Sequence, residues 1–182
     1  MLKDRLRSSE GVRVPLSRKV TIATVFGVLV FVSKIIIPTP FDKMAIAPQA
    51  LLLALGFLSI GPLGATSVAA VGGLLSAFWR TPFAPFTMVF ALMYGLLVDG
   101  FCHVMKVKGS DGCVKKGRLV GAVTVSTVIV GLSSYYVSAF VFGILPRNLF
   151  LEFIILIAGT LNGLIAGYLT PLVWSRITRY LA

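Results

Sequence analysis

The stretch Met44–Trp79, MAIAPQALLLALGFLSIGPLGATSVAAVGGLLSAFW, runs for 36 residues without a charge. As one straight helix it would be about 54 Å long at 1.5 Å per residue, against a hydrocarbon core of about 30 Å. It must therefore be broken. Gly61-Pro62-Leu63-Gly64 supplies the break, because proline lacks a backbone donor and glycine permits turn dihedrals. The stretch reads as a tight hairpin of two short helices, Ala45–Ile60 and Ala65–Trp79. Both fall below the usual span of roughly 17 to 25 residues, so they must tilt little, thin the bilayer or be covered by other protein.

Outward from this hairpin, the uncharged runs Val20–Ser33, Thr81–Val98, Leu119–Pro146 and Phe153–Ser175 place four further helices at Ser17–Ile37, Phe83–Met105, Leu119–Leu145 and Leu149–Trp174. The expected fold is all-α, with six transmembrane helices in residues 17–182 behind a basic tail at 1–16. Composition agrees: 57% of the residues are hydrophobic and 13% charged, where a soluble domain carries roughly 25% charge. No room remains for a soluble catalytic domain.

The 17 Lys and Arg exceed the 6 Asp and Glu, but their placement argues against nucleic acid as a partner. They cluster in the amino-terminal segment (Lys3 to Lys19) and between Lys106 and Arg118, beside apolar spans, as topology determinants do. With six spans both termini share a side. Placing them in the cytoplasm puts thirteen basic residues inside and leaves Lys34, Lys43, Arg80 and Arg147 outside. The first span has no small-residue cleavage site after it and is expected to be retained. The only cysteines, Cys102 and Cys113, fall at or beyond a cytoplasmic helix end, where thiols stay reduced.

Motifs for intramembrane hydrolysis, phosphate transfer or zinc catalysis are absent from the sequence, so it is not expected to be an enzyme or to carry a cofactor. Asp99, Cys102 and His103 are loosely spaced at a helix end beside a basic loop. They read as a solvated interface and not as a metal site. Glu152 stands out because a carboxylate inside a bilayer needs a cavity or a partner. Gly159, Gly163 and Gly167 follow it on nearly one helical face, with Asn162 about 80° around the helix. That face either leaves room for a ligand or lets a neighbouring helix approach, with Glu152 then pairing to Arg147 or Arg80. Aromatic residues gather at the same end: Trp79, then Phe83, Phe86, Phe90 and Tyr94, with Tyr135, Tyr136 and Phe140 on the fifth helix. Such a cluster serves as an interfacial belt or as a seat for a flat, partly polar ring. Ala23 and Gly27 form a small-x-x-x-small pair that permits close approach by another helix.

The combination resembles the substrate-binding membrane subunit, the S-component, of energy-coupling-factor vitamin transporters. The likeness covers nearly the whole chain: about 180 residues, six helices, a basic amino-terminal tail, Ala23-x-x-x-Gly27 where the family often has two alanines, and an aromatic and polar outer leaflet. Ala47-Pro48-Gln49 through Gly61-Pro62-Leu63-Gly64 to Trp79-Arg80-Thr81 and Tyr94-Gly95 looks like the family's middle helices, nearest to members taking thiamine or its precursors. The amino terminus lacks the histidine of the metal-transporting relatives. The resemblance implies capture of a water-soluble vitamin from outside, coupling to a membrane partner through Ala23 and Gly27, and ATP hydrolysis by a separate pair of cytoplasmic ATPases. The ligand is expected among Trp79, Arg80, Phe86, Tyr135, Glu152 and Asn162, with Glu152 favouring a cationic group and Arg80 favouring an anionic one. The rival readings are a stand-alone channel or secondary carrier, disfavoured by the lack of inverted repeats, and a membrane scaffold without ligand.

Overall fold

The computed structural model describes residues 15–36, 46–79, 84–109, 114–140 and 148–181, with side chains to Ile177 in the last stretch. Within these residues the secondary structure is helical: α1 (Leu16–Ile36), α2 (Ala47–Ile60), α3 (Gly64–Trp79), α4 (Ala84–Val104), α5 (Lys116–Phe140) and α6 (Leu149–Leu181). Four of them, α1, α4, α5 and α6, are long and apolar enough to cross a membrane. Lipid also accounts for the large apolar side chains these helices expose, such as Val25 and Leu29 on α1 or Leu161 and Ile165 on α6, which water would penalise.

The hairpin expected at Gly61–Gly64 is present. Gly61 closes α2 at φ 95°, a conformation that glycine alone adopts without strain, and its N–H donates to the Phe57 carbonyl at 2.9 Å. Gly64 then donates to the Gly61 carbonyl at 2.9 Å and opens α3. The two helices pack at backbone distance, since a Cβ on Gly56 would lie 2.7 Å from Val68 Cγ2.

At 14 residues, α2 rises only about 21 Å, too little to cross the hydrocarbon alone. It is instead the central helix, packed against all five others, and Leu53 to Leu58 are buried without a break. The remaining helices stand around it in the order α1, α3, α4, α5, α6, each paired with the next. A segment buried on every side must be apolar on every side, which explains why α2 shows no amphipathic face.

Among the described residues, two boundaries differ from the sequence reading by more than two residues. Helix α5 starts at Lys116 rather than Leu119: its first turn is exposed, so water can satisfy the N–H groups that lack a partner within the helix and can solvate Lys116 and Arg118. Helix α6 continues to Leu181 through Pro171, which removes one backbone donor without ending the helix.

Ala23 and Gly27 are buried, and a Cβ on Gly27 would come within 2.6 Å of Val71 Cβ on α3. Within the chain, this close approach at Gly27 packs α1 on α3. Gly27→Leu is therefore expected to cost about 1 to 3 kcal/mol of stability by forcing α1 from α3. Val28→Leu, on the exposed side of the same helix, should leave the melting temperature of the purified chain unchanged.

Candidate functional site

By connectivity, one end of the bundle holds the end of α3, the start of α4, the end of α5 and the start of α6. Four expected ligand residues lie near it. Trp79 closes α3 and is 65% exposed, and Phe86, in the first turn of α4, is also exposed. Tyr135, by contrast, is fully buried.

Asn148 organises the start of α6. Its side-chain oxygen accepts from the Phe150 N–H at 3.0 Å, an N-cap contact that satisfies a donor the helix leaves free. Its backbone carbonyl accepts from Leu151 and Glu152, and its own N–H donates to the Tyr135 hydroxyl at 3.4 Å. The Tyr135 hydroxyl of α5 and the Glu152 N–H of α6 thus both bond the Asn148 backbone at one capped helix start. Glu152 is half-buried in the first turn, where the positive end of the helix dipole favours a carboxylate. No cation pairs with it among the described residues, and Arg80 and Arg147 lie outside them. Beside Tyr135, the Tyr136 ring stacks with Phe140 at 6.2 Å on the outer surface, completing the aromatic group of α5.

Asn162 does not share this layer. It lies ten residues beyond Glu152, about 15 Å along α6, and its amide donates to the Ala158 carbonyl at 2.8 Å. A ligand touching both would have to extend along the helix. The glycine face that follows Glu152 along α6 is not open: Gly159, Gly163 and Gly167 pack against Val128, Thr124 and Val120 of α5, so for these glycines the close helix approach holds.

Sequence reasoning missed Asp99, the most deeply buried acidic side chain among the described residues, at 6% exposure. The sequence reading has it at a solvated interface. Instead its carboxylate reaches from α4 to the start of α3, accepting the Ala65 N–H at 3.1 Å, the Thr66 N–H at 2.8 Å and the Thr66 hydroxyl at 2.6 Å. It caps a helix 33 residues away in sequence. Cys102 is buried nearby as a free thiol, while His103 faces outward, so the three residues do not converge. No group of three or more metal-ligating side chains forms among the described residues. The signal for Asp99 is in the sequence, since Gly95-Leu96-Leu97-Val98-Asp99-Gly100 puts a carboxylate on an apolar helix, and such residues are usually tied to a partner.

Farther along the bundle, the Tyr94 hydroxyl bonds Thr127 Oγ1 at 2.8 Å, joining α4 to α5 in the core. At the opposite end, Lys108 donates to the Leu58 carbonyl at 2.8 Å and lies 5.8 Å above the Phe57 ring, closing the last turn of α2. This withdrawal from water lowers the Lys108 pKa from its ordinary value. Comparison with models of known protein families, with curated proteins and with solved structures finds no match to this chain.

Proposed function

We propose that this chain is the substrate-binding membrane subunit of an energy-coupling-factor transporter, with all six helices in the membrane and both termini in the cytoplasm. It captures a water-soluble vitamin or precursor, thiamine-like in carrying a planar ring and a cationic or amine group, at the end of the bundle where α5 meets α6. The observation that carries the reading is the half-buried Glu152 beside fully buried Tyr135, held by the Asn148 cap. A carboxylate in that setting, with no cation among the described residues, offers a charged ligand a strong contact in a medium of low dielectric. Trp79 and Phe86 at the same end offer ring faces. Uptake then depends on a transmembrane coupling protein and two cytoplasmic ATPases, because no phosphate-binding motif is present in the sequence to use ATP.

The test is mass spectrometry of small molecules released from the purified chain, followed by titration with the compound found. Glu152→Gln is expected to weaken a cationic ligand by about 1 to 3 kcal/mol. Tyr135→Phe, which keeps the ring but removes the hydroxyl that holds the Asn148 N–H, should weaken it less. Copurification with a coupling protein and ATPases should accompany ligand recovery. No released ligand, or equal affinity in both variants, would leave Glu152 as a helix-dipole partner of α6 and nothing more.

A further inference from the structure

We propose that the opposite end of the bundle carries a second binding site, for the phosphate of an anionic lipid headgroup, in a cleft of about 470 Å3 between the α2–α3 turn and the α4–α5 connection. Lys106, Lys108, Lys115 and Arg118 line it together with His103, and no carboxylate is among the described residues that do so. The one acidic residue of the connection, Asp111, lies outside the described residues.

A basic loop beside a membrane helix is ordinarily a solvated topology signal, and three observations go beyond that. The first is that the described part of the connection is built. Lys108 pairs with Val114 in an antiparallel bridge, and the Lys115 N–H donates to the Val107 carbonyl at 3.0 Å. Lys108 and Arg118 are tied to the Leu58 and Met105 carbonyls. Lys106 and Lys115 are held on this frame, and their side chains find no hydrogen-bond or ionic partner among the described residues.

The second is the backbone at Lys106. Helix α4 ends with the Lys106 N–H on the His103 carbonyl and the Val107 N–H on the Cys102 carbonyl, each at 3.0 Å, a closure whose left-handed residue is usually glycine. Here that residue is lysine, at φ 48°. A side chain at this position is unfavourable for folding, and its charge points to a use.

The third is the start of α5, which has no acidic residue in its first turn and instead carries Lys116 and Arg118 behind Lys115. Cations there oppose the helix dipole, whereas an anion beside them fits both the dipole and the lysines. Gly117 leaves the approach open, since a Cβ built there meets nothing within 4 Å. Leu63 in the α2–α3 turn and Val104 at the end of α4 are 60% and 74% exposed, so the two segments that border the cleft also present apolar surface. A lipid matches that pairing of apolar and basic surface, and free phosphate matches only the charge.

This site is independent of what binds beside Glu152, and its test uses a separate readout. The full chain, purified in uncharged detergent, is given equal amounts of phosphatidylglycerol and phosphatidylcholine, and bound lipid is read by native mass spectrometry. Preferential retention of phosphatidylglycerol is expected, reduced about tenfold by Lys106→Gly with Lys115→Gln, an effect in the range of charge-assisted bonds. Lys106→Gly alone should raise the melting temperature while it weakens retention, a combination that a merely structural lysine would not give. Arg18→Gln, an exposed basic residue on α1, should leave retention unchanged. Equal retention of the two lipids, or an equal loss with Arg18→Gln, would overturn the proposal. Displacement of the lipid by millimolar inorganic phosphate would overturn the lipid assignment in favour of a soluble phosphate.

Discussion

Asp99→Leu is expected to destabilise the chain by about 3 to 5 kcal/mol. Three donors converge on its two oxygens: the Ala65 N–H, the Thr66 N–H and the Thr66 hydroxyl. The first two belong to the opening turn of α3, whose N–H groups have no partner within the helix; Ala65 is buried and Thr66 half-buried. Removing the carboxylate therefore leaves two backbone donors unsatisfied, one of them shut off from water, and an uncapped dipole. Asp99→Asn keeps one acceptor and can donate to the Thr66 hydroxyl, so it should cost about 1 to 2 kcal/mol. Thr66→Val, which removes only one bond, should cost about 1 kcal/mol. The order is read by unfolding the purified variants in mixed micelles. If Asp99→Leu is as stable as the parent, the carboxylate does not hold α3 to α4.

The contrast between Asp99 and Glu152 shows what the sequence could and could not convey. Both are single carboxylates near the ends of apolar runs, and hydropathy treats them alike. What separates them is the helix start each one meets. Glu152 lies in the first turn of its own helix, a relation visible in the sequence. Asp99 serves α3, and only the packing of α4 on α3 reveals that. The hairpin was legible because Gly61 and Pro62 act locally, whereas the central place of α2 was not, since α3 is nearly as short and only the packing separates the two. The assignment of Ala23 and Gly27 was not legible, since a small-x-x-x-small pair states that a helix comes close without saying which one.

The two ends of the bundle also differ in how their polar groups are arranged. At one end Glu152 and Tyr135 stand around a single capped helix start, with aromatic rings beside them. At the other, fixed cations surround the start of α5 and the end of α4. Between the two, backbone proximity holds α5 to α6, and there the second large effect is expected.

Gly163→Ala and Gly167→Ala should each destabilise the chain by about 2 to 3 kcal/mol, whereas Gly159→Ala should be neutral or stabilise it slightly. A Cβ on Gly163 would lie 2.6 Å from the Thr124 Cα, and one on Gly167 would lie 2.7 Å from the Val120 Cα. In both cases the obstacle is backbone, so no rotamer change relieves it and the helices must part. The same atom on Gly159 would meet the Val128 Cα at 3.5 Å, an ordinary contact, and alanine there gains helix propensity. Side-chain trimming gives a sharper check. Thr124 Oγ1 is buried without a hydrogen bond among the described residues, so Thr124→Ala removes an unsatisfied polar atom and should be mild on its own. Because the Thr124 Cα remains in place, it should not rescue Gly163→Ala, and the cycle of single and double variants should return a coupling within about 0.5 kcal/mol of zero. A full rescue would mean that the threonine side chain, and not the backbone, sets the distance between α5 and α6.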